Sequence, residues 1–225
     1  MKAIYYILFL LLYPATAALA QLDGKRFISG SASTNFFATN PETGKSTNSY
    51  AYGVNLGRGK FKTATRVGEW SIFSNMTGSK QNITGATDTI TVSGINVFSI
   101  GTGYSWSFYK HFNDKFGVFG GPGVSVKYDF GKQTQGSGDN LYDYKSNEIS
   151  ASLQLSAGAY YILNDRWWLT ASLAFSNPVY LAYTFGSSER RATGEGTDNT
   201  GLKYQLAPSF TFPSVGLGLR YFFKD

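Results

Sequence analysis

Acid–base chemistry near neutral pH falls first to histidine, and this chain has a single one, His111, between Lys110 and Phe112. It has no cysteine, which removes thiolate nucleophiles, disulfides, thiolate metal sites and a lipid-attachment cysteine. A lipid-deacylating site on a membrane wall needs its base near the outer leaflet. The pattern below puts His111 at a tight turn on the opposite side, where a solvated turn histidine is the simpler reading. Asp139 and Asp143 are not spaced as a calcium loop, and Gly136-Ser137-Gly138 has no following helix to hold a phosphate. The expectation is a non-enzymatic protein with no metal and no cofactor. A second group has more to offer: Glu69, Lys127, Asp129, Glu148 and Arg220 fall on the same face of their segments as glycine and serine. Enclosed charges must be paired or hydrated, so a salt-bridge and water network is expected. The sharper alternative is an electrostatic plug across a narrow pore.

The elements that position these residues are read from alternation. From Phe98 to Phe108 the even positions are Phe98, Ile100, Thr102, Tyr104, Trp106 and Phe108, and the odd ones are serine and glycine. After Asn113-Asp114-Lys115 the pattern resumes, with Phe116, Val118, Val124, Val126, Tyr128 and Phe130 opposite Gly117, Gly121, Gly123, Ser125, Lys127 and Asp129. Side chains of a strand alternate between faces, so this is a hairpin with one apolar wall and one small, polar wall. A soluble sandwich buries its apolar wall, whereas a membrane barrel turns it to lipid and keeps Gly, Ser and charge inside.

The same reading gives eight strands. The first covers about 26–38 and the second 49–57, joined by a polar loop over 39–48. A basic connection near 58–65 precedes a third strand through Trp70, Ile72 and Phe73, whose phase Glu69 and Ser71 argue one way and Phe73 the other. After a loop near 78–88, Ile90 and Val92 begin the fourth strand in phase with Phe98. A polar segment at 131–146 separates the fifth strand from a sixth through Leu153 and Tyr161. Leu163-Asn164-Asp165 turns into a seventh strand through Trp167 and Phe175. A polar loop at 186–200 precedes the last strand, with Val215, Leu217, Leu219, Tyr221 and Phe223 on one face and Arg220 and Phe222 on the other. Pro122 removes a ladder donor, and Gly120-Gly121-Pro122-Gly123 is read as a bulge or bend. Pro178, Pro208 and Pro213 are placed outside the spanning segments. Short turns alternate with longer polar loops, the arrangement of an all-β, eight-stranded antiparallel up-and-down transmembrane barrel with its loops outside.

Compartment and surroundings follow. Lys2, an apolar Ile4–Leu12 and Ala18-Leu19-Ala20 read as a signal peptide over 1–20, leaving 21–225 as one barrel domain. No other window approaches the roughly 20 apolar residues of a transmembrane helix, so a membrane span would have to be a closed sheet. The mean hydropathy of −0.18 suits a barrel, in which every second residue faces the lumen. The formal charge of +6 is spread without a Lys/Arg run, and the aromatics lie opposite the charges, which argues against nucleic-acid binding. Trp106, Phe108, Phe116 and Trp167 cluster at the short-turn ends, as an interfacial girdle would, and Tyr50, Tyr52, Tyr128 and Phe130 fit the opposite one. Phe119, Tyr160, Trp168 and Phe222 point inward, which argues against a general porin.

With its signal peptide, its eight alternating segments and its closing Gly216-Leu217-Gly218-Leu219-Arg220-Tyr221-Phe222-Phe223, the chain resembles small bacterial outer-membrane barrels of the OmpA/OmpX-like class. Arg220-Tyr221-Phe222-Phe223 and the hairpins at Asn113-Asp114-Lys115 and Asn164-Asp165-Arg166 are similar to outer-membrane barrel domains of Bacteroidetes. The resemblance implies residence in the outer membrane of a Gram-negative bacterium, contact with outer-membrane lipid, and recognition by the barrel-assembly machinery through Tyr221 and Phe223, which Lys224 and Asp225 follow. The implied role is structural or in surface interaction. A narrow pore for small solutes is the alternative, and a lipid-modifying enzyme the third reading.

Overall fold

A computed structural model describes residues 22–40, 42, 45–84, 89–138, 140–206 and 215–224; the expected signal peptide and Pro208 and Pro213 lie outside them. Among the described residues there are nine antiparallel strands: β1 (Arg26–Thr39), β2 (Thr47–Thr63), β3 (Arg66–Thr84), β4 (Thr89–His111), β5 (Phe116–Gln135), β6 (Tyr142–Ile162), β7 (Trp167–Arg190), β8 (Gly196–Gln205) and β9 (Val215–Phe222). Successive strands pair from β1 to β7, and Phe27–Gly30 of β1 pair with β9 from Phe222 to Leu219, closing the sheet on itself. β9 lies along the first part of β7 and β8 along its last part, so the two share the eighth position of the wall. The all-β barrel is as expected; the additional strand is the outer half of its last wall position.

The strands run well past the apolar band. β7 has 24 residues and β4 has 23, against the roughly 9–11 that cross a bilayer. The segments expected as long loops at 78–88, 131–146 and 186–200 are therefore largely hairpin arms: β3 and β4 pair out to Thr84 and Thr89, β5 and β6 out to Gln135 and Tyr142, and β7 and β8 out to Glu189 and Gly196. Their polar composition reflects two wet faces rather than loss of pairing. The basic stretch 58–65 is likewise mostly strand, because Arg58, Lys60 and Lys62 face out while Phe61 faces in, and the turn itself is Ala64-Thr65.

Two turns form as the sequence suggests and by the same device. Asn113 Oδ1 accepts from the backbone N–H groups of Lys115 (2.9 Å) and Phe116 (2.8 Å). Asn164 Oδ1 accepts from those of Arg166 and Trp167, both at 3.0 Å. An Asn side chain that mimics a backbone acceptor in this way fixes the chain reversal.

Pairing also settles the phases. Ser71 faces Gly103 and Phe73 faces Gly101, so Glu69, Ser71 and Phe73 all point inward while Trp70 and Ile72 point out. Phe73 fits there because its ring occupies the space where Gly101 has no Cβ. Ile90 and Val92 do not keep the phase of Phe98. A bulge opposite Thr77/Gly78 inserts Asn96 and flips the alternation above it. The β5–β6 register runs unbroken through Pro122 opposite Leu155, whereas the β4–β5 ladder keeps its register but is interrupted between Ser105–Gly123 and Phe108–Gly120; no bulge forms, and Gly121 packs against the Trp106 carbonyl in the space a Cβ would need. Pro178 lies within β7, and the β6–β7 ladder shifts register twice between Leu153 and Ser156.

Large apolar side chains are exposed on the outside, among them Trp70 at 58% and Leu217 at 62%, while Ser99, Ser107, Ser125 and Ser150 are buried inside. The compact core is a single layer across one end of the lumen. Phe27, Phe61, Val67, Tyr109, Phe119, Tyr160, Trp168 and Phe222 form it, one side chain from each of β1–β7 and one from β9.

Candidate functional site: the lumen

The aromatic layer sits at the short-turn end. Tyr160 stacks on Trp168 at 4.8 Å between ring centroids, Trp168 meets Phe222 at 4.6 Å, Phe222 meets Phe27 at 5.3 Å, and Phe61 meets Tyr109 at 5.2 Å. Glycine makes the room. A Cβ on Gly59 would run into the Phe27 ring, and one on Gly158 would run into Phe119. Offset and tilted rings of this kind gain about 0.5–1.5 kcal/mol per pair beyond their buried area.

Arg220 lies on this layer, 6% exposed. Its guanidinium carbon is 4.7 Å from the centroid of Phe27, 5.1 Å from Phe119 and 5.6 Å from Tyr109, so the cation rests against three ring faces. Nη1 donates to the Tyr109 hydroxyl, and Nη2 donates to Glu69 Oε2 at 3.0 Å. Ser29 Oγ donates to the other carboxylate oxygen at 2.5 Å. The buried charge is thus paired and hydrogen-bonded, as burial of an ion requires.

Beyond it is a chamber of about 220 Å³ whose lining includes Ser105, Ser107, Gln154, Ser156, Thr170 and Ser172. Next along the strands, Lys127 Nζ is 2.6 Å from Asp129 Oδ2, and Ser99 Oγ donates to Asp129. Glu148 accepts from the Tyr180 hydroxyl and lies 3.7 Å from Lys203 Nζ of β8. The five charges expected to form one network therefore form separate pairs. Glu69 joins Arg220 deep inside, Lys127 joins Asp129, and Glu148 takes partners the sequence reading did not include. Lys203 was hidden because its strand follows a segment read as loop, although Lys203 and Gln205 alternate with Leu202 and Tyr204.

At the far end the hairpin arms enclose a cup of about 660 Å³. Arg191, on its rim, donates from Nε to Asp143 Oδ2 at 2.8 Å, and Thr134 Oγ1 donates to Asp143 Oδ1 at 2.5 Å. That hydrogen bond from Arg191 holds the Asp143 carboxyl below the usual carboxylate range, and Asp143 in turn raises Arg191.

His111 is half-buried at the aromatic end, not free in the turn. Its Nε2 lies 3.1 Å from the Ala64 carbonyl oxygen, and its Nδ1 shares a hydrogen bond with the Tyr160 hydroxyl. Trp106, Phe108, Phe116 and Trp167 all point outward near the short turns. Tyr221 packs on that outer surface between Trp167 (5.0 Å) and Phe223 (5.9 Å).

No protein-family model matches the chain, and no curated protein matches it. Among solved structures it is similar to the outer membrane protein OprG from Pseudomonas aeruginosa, at 14% identity over 90% of this chain and 97% of that one, with a TM-score of 0.46. A structure described under asymmetric conductivity of engineered proteins aligns at 9% identity over 88% of this chain and 99% of that one, with a TM-score of 0.12. The barrel assignment rests on the strand pairing itself.

Proposed function

We propose that the chain is an integral outer-membrane barrel, closed at its periplasmic end, that serves a non-enzymatic structural or surface-interaction role. The membrane placement is supported by the inversion of the usual exposure pattern: apolar side chains coat the outside while serine and charge are enclosed. No aqueous domain of this size gains from leaving so many large apolar side chains in water. The outward ring of Trp106, Phe108, Phe116 and Trp167 fits the level of lipid headgroups. Arg58, Lys60, Lys62, Arg66, Lys110, Lys115 and Arg166 gather at the same end, where inner-leaflet phosphates would meet them.

The observation that carries the closed reading is the inward layer of seven aromatic side chains and Val67, one from each wall position, topped by the Arg220–Glu69 pair. Planar-bilayer recording tests it. The wild-type barrel is expected to show no steady conductance, and Arg220→Ala, which frees Glu69 and loosens the ring faces, to show short openings. A stable ohmic conductance from wild type would instead favour the narrow transport barrel.

A further inference from the structure

We infer that the outer face of the barrel carries a site for one anionic phospholipid at its short-turn end, beside the seam between β1 and β9, a reading that rests on the proposed outer-membrane placement. Arg26, Arg58, Phe223 and Lys224 line a hollow of about 450 Å³ there, together with Gly24. Its sides are fixed by the backbone. Phe223 N–H donates to the Arg26 carbonyl at 3.1 Å, and Gly24 N–H donates to the Phe61 carbonyl at 3.0 Å, which pins the residues just outside β9 and β1 across their neighbours.

Alternation aims the cations outward. Phe27, Gly57, Gly59, Phe61 and Phe222 face the lumen, so Arg26, Arg58, Lys60 and Phe223 stand on the outer surface. Arg26 lies directly opposite Lys60, with Arg58 the next outward residue on β2. Like charges so placed on a sheet repel one another. Among the described residues none of Arg26, Arg58, Lys60 and Lys224 is ion-paired; Glu69 faces inward to Arg220, and Asp23 is outside the lining. The other short turns differ, because Asp114 adjoins Lys115 and Asp165 adjoins Arg166. An anion seated among the unpaired cations relieves their repulsion and gains charge-assisted hydrogen bonds.

What lies next along the strands decides the kind of anion. One outward step farther up the wall, Arg26 gives way to Ile28 and Arg58 to Leu56, while Trp70 pairs opposite Arg58; all three apolar side chains are exposed. Such a step is about 7 Å. The matching ligand is therefore charged at one end and apolar immediately beyond it, as a phospholipid is, with its phosphate among the cations and its acyl chains along Ile28, Leu56 and Trp70. An acidic protein segment would leave the apolar step unused. Unpaired cations also favour a lipid of net negative charge over a zwitterionic one, whose ammonium they repel.

Quenching of Trp70 tests this. A full-length variant that keeps Trp70, with Trp106, Trp167 and Trp168 changed to phenylalanine, is folded into phosphatidylcholine vesicles containing a small share of either phosphatidylglycerol or phosphatidylcholine with brominated acyl chains. Brominated phosphatidylglycerol is expected to associate beside Trp70 about tenfold more strongly than brominated phosphatidylcholine. Arg26→Gln and Arg58→Gln are each expected to lower that preference about fivefold, the worth of one basic residue at an anionic lipid surface. Lys132→Gln, which removes a cation at the hairpin end, is expected to leave it unchanged. A heat-shifted gel band confirms that each variant is folded. Equal quenching by the two brominated lipids, a preference that survives both arginine variants, or one that Lys132→Gln lowers as much as they do overturns the inference and leaves the barrel reading standing. No quenching by either lipid overturns the lipid-facing assignment of this wall and the inference with it.

Discussion

The two ends of the lumen are built from the same alternating strands and do opposite things. At the short-turn end each wall position points one bulky side chain inward, and Tyr160 and Trp168 are only 1% and 2% exposed. At the hairpin end the walls point in serine, threonine and amide groups and enclose open volume. What differs is side-chain size at inward positions, not backbone pattern. A barrel of this girth is wide enough to be filled by side chains or to leave a small open volume, and this chain is filled at one depth and open at the other. A charge is tolerated at either end on different terms: Arg220 is buried and fully engaged, whereas Arg191 and Asp143 meet in water.

That contrast can be broken most strongly at the closed end. Trp168→Ala is expected to cost about 3–5 kcal/mol, read as a lower urea midpoint for unfolding from lipid vesicles, because it opens a cavity among rings with no room to collapse. Gln133→Ala at the cup is expected to fall within about 0.5 kcal/mol of wild type. Equal costs at both positions would mean that the aromatic layer is not the barrel's core. Arg220→Ala is expected to cost a similar 3–5 kcal/mol by stranding Glu69. Lys127→Ala, whose ion pair is partly solvated, should cost less than about 1 kcal/mol. Replacing both Arg220 and Glu69 by apolar residues should recover much of the loss, which separates stranded charge from lost packing.

A smaller effect is expected at Gly59. A Gly59→Val side chain would meet the Phe27 ring, and overpacking of this kind costs about 1–3 kcal/mol by the same unfolding assay. The smallest effect is at the cup rim. Asp143 has a depressed pKa, so its pairing contributes fully above the ordinary carboxylate range, near pH 4, and is lost as pH falls further. Asp143→Asn should flatten that part of the acid dependence slightly, since the pair is exposed to solvent.

Much of this architecture was legible in the residues. Alternation around Phe98–Phe108 and Phe116–Phe130 gave the faces correctly, and the two Asn turns formed where their sequence placed them. Four members of the aromatic layer, Phe119, Tyr160, Trp168 and Phe222, follow from phase alone. Tyr109 is the next inward position after Ser107, one residue past the run to Phe108. Phe27 and Phe61 do not follow, for a physical reason: each lies at a strand end beside basic residues, where an isolated aromatic reads equally well as turn, girdle or plug. Only closure of the sheet brings Phe27 beside Phe222. The Asn96 bulge and the outer hairpin arms were hidden for another reason. Beyond the apolar band both strand faces meet water, so hydropathy no longer distinguishes a paired strand from a loop.

The central claim is that the wall has an apolar outside facing lipid and a closed inside. Neighbouring Trp167 and Trp168 lie on opposite faces, 41% and 2% exposed. Two single-tryptophan variants, each retaining one of these residues with the others changed to phenylalanine, can be reconstituted in brominated phospholipid. The account predicts strong quenching of Trp167 fluorescence and little quenching of Trp168; equal quenching of the two, or the reverse order, would contradict it.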